Sequence, residues 1–308
     1  MTDLSATDAQ IGEHWDEHMR RKSTLVGTQK KLRWASSRFV QGWLNKKICG
    51  VAIKRPSRGL HQVLAKQLDG RKLPHGISIG GGVGIREMEL VNEGIVERFT
   101  IYELSSVRIE EGQKLAARLG LTDRVEFVMG DGLKASAGKK YDLVHWHAAL
   151  HHMFDTRAAL RWSRDVLNPG GAMYLHEYVG PIRMQYTDEM LDWAMTMRAM
   201  IPSAYLTRPG LPAIDLKITR LSAAEIAAKD PSECVDSENI LPGLKEVFPD
   251  ALLWTLGGVG YLIALKGLIS RFDETKEEDC HWLNAIMTLD DALSNRGINL
   301  RAAALAFV

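Results

Sequence analysis

The sequence predicts an α/β fold, a doubly wound and mostly parallel sheet. Three observations point there. Short β-like runs alternate with helical stretches from residue 75 to residue 175, the rhythm of parallel βαβ units. A glycine cluster, Gly80-Gly81-Gly82-Val83-Gly84, follows the first of these runs. The 308 residues are 45% hydrophobic and 25% charged, the balance of a globular chain long enough to bury a sizeable core.

The elements follow in order. Residues 10–75 read as helical, with apolar residues spaced among basic ones and breaks at Gly50 and Pro56. Residues 75–79 form the first strand, and residues 85–91 the helix behind the glycines. Residues 99–102 form the second strand, with a helix at 106–119. The third strand is 125–129 and the fourth is 141–146, followed by a helix at 156–167. Asn168-Pro169-Gly170-Gly171 is a turn before the fifth strand at 172–175. Residues 181–250 are rich in Met, Pro and helix formers, and read as a helical insertion. Late strands are expected at 251–256 and 260–265, and a helix near 276–295. There is no internal repeat and no low-complexity segment. The expected division is therefore 1–75 as a helical lid and substrate region, 76–180 as the core, 181–250 as an insertion lining the acceptor pocket, and 251–308 completing the core.

Charge narrows the function. Lys and Arg total 39 and Asp and Glu total 38, a net +1 that weighs against polyanion binding. Residues 1–75, however, hold 15 basic and 6 acidic side chains, a surplus of +9 that leaves −8 for the rest. This reads either as a solvated basic helical face or as a basic wall toward an anionic substrate. No run of about 18 apolar residues occurs, so no spanning helix is expected. The opening segment is polar and acidic and does not read as a secretory signal. Cys49, Cys234 and Cys280 are far apart with no CxxC spacing. A disulfide framework and a thiolate zinc site are not expected, and a reducing cytoplasm is the simplest compartment.

The glycine cluster carries the chemistry. Glycines beyond a strand end let the backbone turn tightly and approach a ligand at the sheet's switch point. Gly80, Gly82 and Gly84 fit G-x-G-x-G, and Ile85 stands where a dinucleotide fingerprint needs its third glycine. No Lys-Ser/Thr pair follows, which excludes a P-loop. Glu103 ends the second strand, 19 residues after Gly84. A carboxylate there can accept from both hydroxyls of a ribose, or simply face solvent. Asp131-Gly132 follows the third strand and can take an adenine amine, or merely shape a turn.

In combination, Ile77-Ser78-Ile79-Gly80-Gly81-Gly82-Val83-Gly84, Tyr102-Glu103-Leu104, Gly130-Asp131-Gly132, Tyr141-Asp142-Leu143-Val144 and Leu167-Asn168-Pro169-Gly170-Gly171 resemble class I S-adenosylmethionine (SAM)-dependent methyltransferases. The resemblance implies a Rossmann-like, seven-stranded sheet. It implies SAM as cofactor and S-adenosylhomocysteine (SAH) as product, with Ser78, Gly80, Gly81, Gly82, Gly84, Glu103, Leu104, Asp131, Gly132 and His147 around the cofactor. Two positions depart from the pattern. The family often has Asp or Glu where Ser78 stands, so a carboxylate near the methionine amine is missing, and Cys or Ser where Gly81 stands. Trp43-Leu44-Asn45-Lys46-Lys47-Ile48-Cys49-Gly50, Glu177-Tyr178-Val179-Gly180-Pro181, Asp230-Pro231-Ser232-Glu233 and Ile240-Leu241-Pro242 resemble a bacterial subgroup associated with polysaccharide or secondary-metabolite biosynthesis.

Methyl transfer from a sulfonium is an in-line displacement, so the protein mainly aligns the acceptor. A base is needed only where the acceptor loses a proton early. His147, His151 and His152, at the end of the fourth strand, are candidate bases, or they shape the pocket. His145-Trp146-His147 suggests a metal pair, but no acidic ligand is adjacent and no metal is expected. Glu177 and Tyr178 end the fifth strand. Glu177 can orient the acceptor, serve as base, or pair with Arg183. Arg183, Gln185 and Tyr186 are candidates for the acceptor pocket. Met184, Met190, Met195, Met197 and Met200 read as core or as an adaptable groove. Trp15 and His18 are candidates for an N-terminal lid.

The expected function is methyl transfer to O, N or C of a small molecule, with a sugar or a secondary metabolite as candidate acceptor. The alternatives are a nicotinamide-dependent oxidoreductase, against which the missing third glycine counts, and a non-catalytic SAM-binding protein. No basic stripe with interleaved aromatics points to nucleic acid. The Met-rich and apolar C-terminal segments are compatible with a homodimer.

Overall fold

All five strands expected between residues 75 and 175 form, four of them with longer ends. They are β1 (Leu73–Ile79), β2 (Val96–Glu103), β3 (Val125–Met129), β4 (Tyr141–His147) and β5 (Leu167–Tyr178). With β6 (Leu252–Thr255) and β7 (Arg301–Phe307) they make one seven-stranded sheet in the order β3-β2-β1-β4-β5-β7-β6. The first five pair in parallel, and β7 runs antiparallel between β5 and β6. The strand order reverses between β1 and β4, so this Rossmann-like sheet opens its crevice there. The computed structural model describes residues 6–24 and 33–308, without the side chains of residues 6, 18 and 21–24.

The helices are α1 (Ala6–Thr24), α2 (Arg38–Cys49), α3 (Arg58–Leu68), α4 (Ile85–Asn92), α5 (Ser106–Leu119), α6 (Gly132–Ala135) and α7 (Thr156–Asp165). Between β5 and β6 lie α8 (Asp188–Met200), α9 (Ser203–Leu206), α10 (Ala223–Lys229) and α11 (Ile240–Val247), and α12 (Glu277–Asn295) precedes β7. α2 stops at Gly50, whose φ of +79° suits a glycine C-cap. The Asn168–Gly171 turn is absorbed into β5, where the register against β4 shifts between Tyr141 and Leu143.

Two segments differ from expectation. Residues 260–265 are not a strand, because Val259–Ala264 forms a π-helical turn. Asp290 of α12 pins it by accepting the N–H groups of Gly258 and Gly260. The last strand, β7, was not expected. Its Arg-Ala-Ala-Ala-Leu-Ala-Phe run has no alternation, because it lies inside the sheet with both faces covered.

The basic N-terminal surplus is partly answered within the fold. Lys47 of α2 reaches Asp291 of α12 at 2.6 Å, and Arg58 of α3 pairs with Glu93 after α4.

Candidate active site

β1 delivers the chain to the glycine loop at the switch point. Gly80, Gly82 and Gly84 have φ of +63°, +60° and +71°, a region where a side chain is strained. Gly81 is required by space instead. A Cβ there would lie 2.7 Å from Ile101 Cγ2 and 3.0 Å from Ser78 Oγ. That gives the departure at Gly81 a packing cause.

Ser78 joins a buried polar network behind the loop. Ser78 is buried, and its Oγ donates to Glu87 Oε1 at 2.7 Å. Glu87 rises from α4, buried beside the loop, and also meets His145 Nδ1 at 3.0 Å. Burial opposes its charge, but His145 and Ser78 hold the carboxyl below its ordinary value. A carboxylate therefore does stand behind the loop, on α4, which sequence reasoning missed, but it does not line the cavity.

Glu103 organises the loop from the end of β2. Its Oε2 accepts from Gly82 N at 2.8 Å, and its Oε1 from Leu104 N at 2.9 Å and Ser105 N at 3.0 Å. Asp131 caps α6 by accepting from Leu133 N at 3.0 Å. Gly132 packs so tightly on Tyr102 that a Cβ would lie 2.7 Å from Tyr102 Cβ. Gly80, Glu103, Leu104, Asp131 and Gly132 all line one cavity of about 540 Å³. That volume falls within the usual range for small-molecule and cofactor sites, roughly 300–1,000 Å³.

α1 roofs this cavity with Ile11 and Trp15. Asp16 fastens it to the start of α5 by accepting from Ser105 Oγ at 2.5 Å, Ser106 Oγ at 2.8 Å and Val107 N at 3.2 Å. The Arg108 guanidinium stacks over Trp15, 3.8 Å from the ring centroid. The side chain of His18, the other lid candidate, lies outside the described residues. Among the described residues, the basic side chains lining the cavity are Arg108 and Lys134. Neither belongs to residues 1–75, so the basic wall expected from that region is not formed by its described residues.

The histidines separate into two groups. His147 turns away from the cavity, with Nε2 at 3.0 Å from Ser57 Oγ and 3.2 Å from His176 Nδ1. Burial, and after it the nearby His176, pushes its pKa well down. The structure therefore does not bring His147 to the cofactor space or to an acceptor there. His151 and His152 form a short turn after β4. His152 lines the cavity, and its Nδ1 lies 3.0 Å from Ser232 Oγ. Burial, and then the adjacent His151, lowers its pKa to about 3, so it is neutral near pH 7.

Glu177 is fully buried under that turn. Its Oε1 accepts from Leu150 N at 2.7 Å, and its Oε2 lies 2.6 Å from His151 Nδ1. Burial opposes its charge, yet His151 holds the carboxyl below its usual value. Burial likewise works against a charged His151, and Glu177 overrides it, raising that pKa. Glu177 thus positions His151, and the expected contact with an acceptor is corrected. Its expected partner Arg183 instead donates to the carbonyls of Pro231 and Glu233 at 2.8 and 3.0 Å. Tyr178 is also withdrawn, buried with its hydroxyl on Pro181 O at 3.1 Å. Arg183, Gln185 and Tyr186 do not line the cavity. Of the methionines, Met197 is core, Met184, Met190 and Met195 pack on it, and Met200 is exposed.

In its motif order, its glycine loop and its strand-end acids the chain is similar to class I SAM-dependent methyltransferases. Residues 77–173 match the family model described as a methyltransferase domain. A probable chloroplastic tocopherol O-methyltransferase of Oryza sativa subsp. japonica is 28% identical over 193 residues, 60% of this chain and 51% of that protein. The chain thus spans about half the length of that relative. Two solved structures align over nearly the whole chain. One is the [4+2]-cyclase SpnF, with a TM-score of 0.53 and 14% identity over 99% of this chain and 97% of that one. The other is a geranyl diphosphate methyltransferase with its diphosphate and sinefungin, with a TM-score of 0.53 and 12% identity over 98% and 99%. Likeness at such identity shows the fold alone, and one of the two is a cyclase.

Proposed function

We propose that this protein transfers the methyl group of SAM to a small-molecule acceptor, at O, N or C, by in-line displacement. The observation that carries the reading is the cavity that gathers Gly80, Glu103, Asp131 and Gly132 at the switch point. These residues fit the cofactor. Of the loop glycines, Gly80 faces the cavity directly. In this reading Glu103 holds the ribose hydroxyls and Asp131 the adenine amine, with Leu104 beside the base and the loop along the methionine moiety. The cofactor supplies an already activated methyl. The protein aligns the acceptor, and α1 roofs the cavity over it.

The acceptor lies against Trp15, Arg108, His152 and Ser232, which line the same cavity. Arg108 favours an acceptor with an anionic group. His152 borders the acceptor, with the His151 ring packed beside it, 4.2 Å between centroids. Residues 76–180 then serve as cofactor core and 1–75 as lid. Residues 181–250 supply part of the acceptor wall, and 251–308 complete the sheet. The three cysteines are unpaired, which suits a reducing compartment such as the cytoplasm. Among the described residues, no helix is long and apolar enough to cross a membrane.

The test is an acceptor screen with SAM, reading SAH release and confirming the methylated product by mass. Acceptor-dependent SAH release is expected. Binding of SAH without turnover, across hydroxyl, amine and carbon acceptors, would overturn methyl transfer as the activity.

A further inference from the structure

His151, His152 and Glu233 converge from two segments about 80 residues apart in sequence. Each offers one ligand atom, and the three atoms lie within 4.8 Å of one another. His151 Nε2 stands 3.7 Å from Glu233 Oε1. Two ligands on a tetrahedral ion with ordinary zinc bond lengths are about 3.4 Å apart. The Glu233 side chain is 21% exposed, and its Oε1 accepts from Cys234 Sγ at 2.9 Å.

The surroundings resemble those of a prepared ligand set. His151 presents Nδ1 to the buried Glu177 at 2.6 Å, which leaves Nε2 facing the cluster. A carboxylate behind a ligating imidazole is the common outer support of metal sites. His152 is held in the same way, because Ser232 Oγ meets its Nδ1 at 3.0 Å and donates to Asp230 Oδ1 at 2.7 Å. An independent observation comes from Asp230. It is 5% exposed, and its Oδ2 makes no hydrogen bond, lying 3.8 Å from both His14 Nε2 and His152 Nδ1. Glu177, Glu233 and Asp230 thus crowd three carboxyl groups around two adjacent imidazoles, an environment that favours a cation.

We propose that His151, His152 and Glu233 form a three-ligand site for a divalent first-row transition cation, on the wall of the acceptor space. Two imidazoles and one carboxylate suit zinc, iron, cobalt or manganese better than calcium or magnesium. Three protein ligands leave a position open, the mark of a catalytic site. Because His152 and Ser232 line the cavity, that position is placed toward the acceptor. The site stands on its own residues, and its role rests on the methyl-transfer reading. The cation lowers the proton affinity of an acceptor hydroxyl. The hydroxyl proton passes to water, the oxygen–methyl bond forms as the sulfur–methyl bond breaks, and the electron pair stays on sulfur as neutral SAH. The acceptors selected are hydroxyl compounds.

The test uses chelator-treated full-length protein carrying His281→Ala, which removes the exposed His281–Glu277 pair on α12 as a competing site. Zn2+ is titrated by calorimetry and Co2+ by visible absorption. One equivalent is expected to bind with a dissociation constant on the order of 1 μM or tighter. Ser232→Ala should weaken binding by about 10–100-fold, and loss of a ligand in Glu233→Gln by more than that. SAH affinity should stay within about twofold, since neither residue contacts the cofactor in this reading. No binding of either ion by the parent protein, or equal binding by both variants, overturns the site. If Glu233→Gln does not fold, the parent titration and Ser232→Ala decide. Metal binding without SAH binding would sink the methyl-transfer reading and leave the cation site standing.

Discussion

Glu103→Ala separates a cofactor contact from a purely structural one. The side chain does two jobs in this account. It accepts three backbone N–H groups, from Gly82, Leu104 and Ser105, at 2.8–3.0 Å. It also offers its charge to the ribose. The first job is present with or without cofactor, so losing it lowers stability. Water entering the space left by the side chain keeps that loss near the lower end, about 1 kcal/mol per freed donor or about 3 kcal/mol together. The second job exists only in the complex. A hydrogen bond to a charged group contributes about 1.5–3 kcal/mol, so SAH affinity should fall about 10–150-fold. Calorimetric titration of SAH into wild type and variant reads the binding part, and chemical denaturation reads the other. A folded Glu103→Ala protein that binds SAH within twofold of wild type would refute the ribose assignment.

Other outcomes follow from the same geometry. Asp16→Ala releases the lid from Ser105, Ser106 and Val107, partly exposed bonds that together contribute about 1–2 kcal/mol. SAH dissociation in stopped-flow should quicken about 5–30-fold, and an unchanged rate would show that α1 does not gate the cavity. Glu177→Gln leaves His151 without its buried carboxylate, a change that costs about 3–5 kcal/mol by denaturation. Equal stability would contradict the positioning role. His147 and His176 are held neutral chiefly by burial, so their folded pKa values lie well below 6.5. The unfolded chain takes up protons that the folded protein refuses, so stability is present above pH 6.5 and lost as pH falls. At pH 5.5 the two cost together about 3 kcal/mol, measurable as a lower melting temperature than at pH 7.5. His61 and His152 are lowered by burial as well and add to the loss, so His176→Gln should remove about 1.4 kcal/mol of it at pH 5.5, and an unaltered slope would rule out His176 as a source.

The sheet was legible because alternation and glycine spacing are local signals. β7 was not, because an alanine-rich run buried on both faces has no period to read. Residues 260–265 misled for the opposite reason. An apolar run looks like a strand until Asp290, far along the chain, claims the N–H groups of Gly258 and Gly260. In the site, Glu103 and Asp131 were legible because strand ends at a switch point face the crevice. His147 was misread through parity. It shares a sheet face with His145, and their β5 partners are His176 and Tyr174. That face lies under Ser57 and His61 of the α3 region rather than toward the cavity. Glu177 reads as a strand-end acid facing an acceptor or Arg183, and only the folded turn at residues 150–152 shows its carboxylate taken up by backbone N–H groups and His151. Asp230, Ser232 and Glu233 stood out in the sequence only by resemblance, since nothing local places them beside His151 and His152. Tertiary packing does so, with Arg183 bonding the backbone of that segment.

The central claim is that the switch-point cavity is a SAM site. The most direct measurement is calorimetric titration of purified protein with SAH, with NADH as the competing ligand. One SAH per chain, unaffected by NADH, is the result predicted. Absence of SAH binding by a folded protein, or displacement of SAH by NADH at equal concentration, would contradict it.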